Sequence, residues 1–214
     1  MIKALTLTLA LVATLGTAHA QDVKAGEQKA AMCIGCHGIP GYQASFPEIY
    51  RVPMISGQNA KYIAASLVAY QKGERKHPTM KGISGSLSEK DIADLSAFYE
   101  QHGRSSVTPV SATVNEPSPE VAALLAKGAC ASCHGANYAK PIDGAYPKLA
   151  GQHADYLYVV LKSYQNDGKG AVGRANAIMG AQVKAFKPAE LKAMAQYLGS
   201  LPGDLKTVPQ SRFR

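Results

Sequence analysis

The sequence predicts an all-α protein of two tandem domains, and three observations carry that prediction. All four cysteines of the 214-residue chain fall in two copies of one pentapeptide, CIGCH at 33–37 and CASCH at 130–134, whose starts lie 97 residues apart. Apolar residues recur at the three-and-four spacing of helices, as at Tyr62, Ile63, Leu67 and Tyr70. No run alternates apolar and polar residues in the manner of a half-buried strand.

Residues Met1–Ala20 read MIKALTLTLALVATLGTAHA: one early lysine, an uncharged Leu/Ala/Thr run, and the small-x-small triplet Ala18-His19-Ala20. That is the pattern of a secretory signal peptide cut after Ala20. A membrane anchor is the competing reading, but the apolar run falls short of the roughly 20 residues a span needs. A soluble, periplasmic mature protein is therefore expected.

In an oxidising compartment four cysteines would ordinarily suggest two disulfides. Here each Cys-x-x-Cys pair is followed at once by histidine, which a disulfide scaffold does not need. Two thiols at this spacing can add to the vinyl groups of a haem while the adjacent imidazole reaches the iron. Cys33, Cys36 and His37 would hold one haem c, and Cys130, Cys133 and His134 a second. Zinc would require a fourth ligand at short spacing, which neither cluster shows. A thioredoxin-like pair would require a βαβ context that is missing from the sequence pattern.

The repeat extends well beyond the pentapeptides. VPMISGQNAKYIAASLVAYQKG (52–73) aligns with YPKLAGQHADYLYVVLKSYQND (146–167) at an offset of 94, pairing Gly57-Gln58 with Gly151-Gln152 and Tyr70-Gln71 with Tyr164-Gln165. EKDIADLSAFYEQHG aligns with PAELKAMAQYLGSLPG at an offset of 99. The stretch GRSSVTPVSATVNEPSP (103–119) is rich in Ser, Thr and Pro and reads as a linker between domains 21–102 and 120–214.

Each half should contain three helical stretches. The first, about 22–34 and 119–131, would lead into the pentapeptide; the second opens near Asn59 or His153. The third has Ser88 as N-cap with Asp91 three residues on, and Pro188 in the first turn of its counterpart.

What closes the second face of each iron decides between electron carrier, gas binder and catalyst. After the first motif the candidates are Met54, His77, Met80 and His102. Met54 aligns with Lys148 and His102 with Leu201, which leaves Met80, with His77 three residues upstream as its rival. In the second half His153 aligns with Asn59 and Met194 with Leu95, a core position on a helical stripe. Met179 remains, at the same offset of 99 from Met80. Axial His/Met coordination favours ferrous iron relative to two histidines and leaves no place for substrate.

These motifs resemble class I cytochromes c, and their duplication resembles the dihaem cytochrome c4 family. The likeness covers nearly all of the mature chain: CIGCHG and CASCHG, PMISGQ and PKLAGQ, Met80 and Met179, and the aromatic last helices with Phe98-Tyr99 and Tyr197. It implies two class I cytochrome c domains related by a pseudo-twofold, each enclosing one covalently bound haem. It also implies that the carbonyls of Pro53 and Pro147 accept hydrogen bonds from the axial histidines. Electrons would come from a quinol-oxidising complex and leave towards a terminal oxidase or reductase, with transient docking to membrane complexes. Gly26 matches the small residue that such domains use where first and last helices cross; the equivalent Ala123 would widen that crossing.

Formal charge at neutral pH is +8, with ten Lys/Arg against eight Asp/Glu in 21–108 and twelve against seven in 109–214. Four haem propionates would offset part of this excess, so a pI near 9.3 does not point to nucleic acid. Lys72, Arg75, Lys76 and Lys81 gather around Met80 as a candidate cationic rim for an acidic redox partner. The expected role is that of an electron carrier without bond-making residues. A dihaem peroxidase or sulfur-compound dehydrogenase would need a vacant or unusually ligated iron. A haem subunit of a larger dehydrogenase is the third possibility.

Overall fold

Two five-helix bundles, facing each other across a pseudo-twofold, make up the described residues of this computed structural model, 21–104 and 115–209. The expected signal peptide and the central part of the linker lie outside those residues. The first bundle comprises α1 (Val23–Lys29), α2 (Ala31–His37), α3 (Ala60–Gln71), α4 (Pro78–Gly85) and α5 (Glu89–Gln101). The second comprises α6 (Pro119–Lys127), α7 (Cys130–His134), α8 (Ala154–Gln165), α9 (Ala177–Val183) and α10 (Pro188–Ser200).

Five helices replace the three stretches expected per half for two reasons. The first stretch breaks just ahead of the cysteines, in the second half at Ala129, whose φ of 46° is left-handed. The methionine-bearing segments also wind into short helices of their own. The α1 start is capped by Asp22, whose Oδ1 accepts from Ala25 N at 3.0 Å. In α5 the Ser88 hydroxyl and Asp91 carboxylate form a reciprocal capping box. The α10 start is held by Glu190, which accepts from Lys187 N at 2.6 Å.

Gly26 lies where α1 crosses α5; a Cβ there would overlap the Asp94 carbonyl and the Phe98 side chain. The equivalence with Ala123 fails, because Ala123 is exposed and α6 turns Leu124 and Leu125 inward instead. The left-handed residue at 129 reorients α6 relative to its motif, so sequence alignment no longer means the same helix face. Each bundle has its own core: Ala30, Ile34, Ile63, Leu95, Phe98 and Tyr99 in the first, and a larger set including Leu157, Phe186, Leu191, Met194 and Leu198 in the second.

The sequence pattern shows no strand, yet among the described residues four two-residue strands form because loops meet edge to edge. β1 (Gln43–Ala44) pairs antiparallel with β2 (Tyr50–Arg51), and β3 (Arg75–Lys76) with β4 (Gly173–Arg174). The second pairing joins the two halves. Between them also run the Arg51–Asp155 ion pair at 2.9 Å, the Lys162–Glu48 ion pair and a bond from Asn59 Nδ2 to the Tyr146 carbonyl at 3.0 Å. After α10 the chain returns to the first bundle, where Lys206 N donates to Ser56 O at 3.1 Å. Gly57, at φ 86°, lies under this tail; a Cβ there would stand 2.7 Å from the Asp204 carbonyl oxygen.

Candidate cofactor-binding site

Helices α2 and α7 carry the two pentapeptides, and their four thiols are half-buried and not joined in disulfides. Burial pushes the Cys33 and Cys130 thiols up. His37 Nδ1 lies 2.8 Å from the Pro53 carbonyl oxygen and His134 Nδ1 lies 3.0 Å from that of Pro147. A carbonyl can only accept, so Nδ1 carries the proton in both rings and the Nε2 lone pair is left free. Burial lowers both histidines below their ordinary range, partly opposed by the proline carbonyls, which keeps the imidazoles neutral.

Met80 and Met179 occupy the third position of α4 and α9. The Met80 N–H is accepted by His77 Nδ1 at 3.3 Å and the Met179 N–H by Asn176 Oδ1 at 2.9 Å. His77 therefore stands as the N-cap equivalent to Asn176. The far end of each short helix is tied to the helix before it. Gln71 Nε2 donates to the carbonyls of Ser84 and Leu87 at 2.7 and 2.9 Å, and Gln165 Nε2 to those of Val183 and Phe186 at 2.9 and 2.8 Å. The sequence comparison paired these glutamines without assigning them work.

Both constellations line one continuous cavity of about 720 Å³ that runs through the two halves. The axial-ligand candidates His37, Met80, His134 and Met179 all face it, as do Met54 and His77. His102 does not line it: its Nδ1 meets Ser56 Oγ at 2.9 Å and its ring stacks on Phe98. Met194 and Leu95 do line it, as core residues of α10 and α5 that are 3% and 1% exposed.

At the junction of the halves the cavity wall holds two arginines in tyrosine pairs. Arg75 lies over Tyr62 and Tyr70 at 5.1 and 5.9 Å, and Arg174 over Tyr156 and Tyr164 at 5.7 and 5.6 Å. Burial acts to raise the Tyr62 phenol, but the Arg75 and Arg174 charges outweigh it and hold it down at about 8. Arg75 thus turns inward, and the expected rim of cations around Met80 is reduced to its lysines, of which Lys76 donates to the Gly170 carbonyl. The aligned arginines at offset 99 were the signal that could have singled out this pair.

The Arg174 Nη2 donates to Tyr156 Oη at 3.0 Å, while its Nη1 is buried with no partner among the described residues. No carboxylate forms an ion pair with either arginine among those residues. One buried and one half-buried cation facing an apolar cavity call for anions. Two haems, each bringing two carboxylates, fit that requirement, and the paired thiols and neutral imidazoles fit their covalent attachment and iron ligation.

A family model for cytochrome c matches residues 120–202. The chain is 30% identical over 185 residues to cytochrome c4 of Pseudomonas aeruginosa, covering 78% of this chain and 85% of that one. It is 29% identical over 205 residues, 89% of both chains, to a protein of Thiomonas intermedia named thiosulfate dehydrogenase electron acceptor. The structure of cytochrome c4 from Acidithiobacillus ferrooxidans superposes with a TM-score of 0.62 at 25% identity, over 80% of this chain and 99% of that one. The chain belongs to the cytochrome c4 family and is a dihaem c-type cytochrome, an electron carrier with one covalently bound haem c for each Cys-x-x-Cys-His motif.

Proposed function

We propose that the mature protein is a periplasmic shuttle that takes electrons from a quinol-oxidising complex and delivers them to a terminal oxidase or reductase. Two haem domains, 21–102 and 120–214, joined by 103–119, each bind one haem through their cysteine pair. His37 and Met80 ligate the first iron, His134 and Met179 the second, and the carbonyls of Pro53 and Pro147 orient the imidazoles. The haem iron, when bound, supplies reversible one-electron chemistry.

The observation that carries this proposal is the doubled arrangement around the cavity. In each half a neutral, tautomer-fixed imidazole and a methionine on a capped, glutamine-anchored helix face the same space. Both axial positions are then taken in both halves, which suits electron transfer and leaves a substrate nowhere to bind iron. Among the described residues no helix is long and apolar enough to cross a membrane. The exposed Lys72, at the end of α3, and Lys81, on α4, would steer an acidic partner.

A dehydrogenase acting on a sulfur compound is a second donor, favoured by the relative named as an electron acceptor of thiosulfate dehydrogenase. Stopped-flow reduction of the oxidised holoprotein separates the two, using a purified quinol-oxidising complex with quinol in one arm and thiosulfate with thiosulfate dehydrogenase in the other. Rapid carbon monoxide binding by the unmodified, reduced protein would overturn the closed-iron carrier and return the enzyme hypothesis.

A further inference from the structure

The repeated Gly-Gln dipeptide, which the electron-carrier function does not use, forms a reciprocal clamp between the halves. Gln152 Oε1 accepts the Met54 N–H at 3.0 Å and its Nε2 donates to the Met54 carbonyl at 2.9 Å. Gln58 Oε1 accepts the Lys148 N–H at 2.9 Å and its Nε2 donates to the Lys148 carbonyl at 3.0 Å. Each carboxamide is fixed further by the next backbone N–H, of His153 and Asn59, at 3.0 Å in both cases. Both glutamines are 4% exposed. The clamp grips backbone alone, so the Met54 and Lys148 side chains are free to differ.

The Met54 N–H belongs to the same peptide group as the Pro53 carbonyl, and that carbonyl accepts from His37 Nδ1 at 2.8 Å. An unbroken chain of hydrogen bonds thus runs from Gln152 in the second half, through one peptide, to His37 in the first. Its mirror runs from Gln58, through the Pro147–Lys148 peptide, to His134.

We infer that Gln152 and Gln58 are positioning residues, each setting the donor strength of the axial histidine in the opposite half and so tuning the reduction potential of the haem across the interface. The inference rests on His37 and His134 being iron ligands. Donation of a peptide N–H to an acceptor polarises the peptide and makes its carbonyl a stronger acceptor. The proline carbonyl then draws harder on Nδ1–H, which raises imidazole basicity and favours ferric iron. Each glutamine therefore lowers the potential of the haem on the other side. It also makes an intact interface a condition for the potentials of both.

The test is spectroelectrochemical titration of the holoprotein, with the two haems told apart by their methyl resonances. Gln152→Met should raise the potential of the haem on Cys33 and Cys36, shifting its ferric-to-ferrous ratio at fixed electrode potential by about threefold, given cooperative strengthening of 10–30% per bond. The haem on Cys130 and Cys133 should stay put. Gln58→Met should give the opposite assignment. Asn59→Ala, which removes an interface bond off this path, should move neither. In the Gln152 variant the His37 Nδ1–H proton should also move upfield while that of His134 does not. Shifts confined to a variant's own half, equal shifts in both haems, or no shift would overturn the inference. Should one glutamine variant fail to fold, the other carries the same crossed assignment alone. A failure of axial histidine ligation itself would show separately, as a high-spin spectrum of the unmodified protein.

Discussion

Acid should weaken the first bundle through one buried carboxylate. The Asp94 side chain is fully buried on α5, where it accepts from Asp22 N at 3.0 Å and pairs with Lys29 and Lys90, both at 2.9 Å. Burial alone would raise its pKa, but the Asp22 N–H and the two ammonium groups outweigh burial and hold it at about 2, against an ordinary 3.8. A carboxyl whose folded pKa is depressed contributes stability that is complete above the unfolded value and is lost as pH falls towards the folded one. At 1.36 kcal/mol per unit that contribution is about 2 kcal/mol, present at pH 5 and gone near pH 2. The second bundle has Ala193 at the equivalent position. Denaturant unfolding of wild type and Asp94→Asn, followed at pH 6, 4 and 2, reads this directly. The variant should be weaker by about 2 kcal/mol at pH 6, and the two proteins should converge at pH 2. A gap that stays constant from pH 6 to pH 2 would refute the electrostatic account and make Asp94 a packing residue.

Three further outcomes follow from the same geometry. Met80→Ala and Met179→Ala should each open one iron, so that each reduced variant binds one carbon monoxide per molecule and loses half of the far-red ferric Met–His band; photometric titration counts both. His77→Asn should leave that band intact, because asparagine caps the helix at 176, whereas His77→Ala should cost about 1 kcal/mol of stability by denaturant titration. Loss of half the low-spin signature in His77→Asn would make the histidine the ligand. Gln71→Leu, by leaving the Ser84 and Leu87 carbonyls short of a donor, should destabilise the protein by about 2 kcal/mol, and Gln165→Leu likewise through Val183 and Phe186; unchanged unfolding midpoints would deny these glutamines an anchoring role.

Fold class, duplication and cofactor were legible in the sequence because their chemistry is local. Five consecutive residues bring two thiols and an imidazole to one turn of helix, and no distant contact is needed to recognise what they can hold. Met80 and Met179 stood out through symmetry, since the same offset that aligns the last helices aligns one with the other, and the structure sets both against the cavity. Alignment misled where it was taken to fix a helix face: Ala123 sits at the position of Gly26 in the chain but not at the helix crossing. Charge clustering misled for Arg75, which reads as a surface cation and turns into the cavity.

The sequence by itself therefore determined which groups are available and how often each occurs. The tertiary structure decided which of them meet. The pairing of each glutamine with a backbone in the other half, the strand pairing that sets Arg75 opposite Arg174 and the tail crossing to Ser56 join residues from about 90 to 150 positions apart. Such contacts depend on how two bundles dock, and docking is set by the summed fit of surfaces, which no short run of residues encodes.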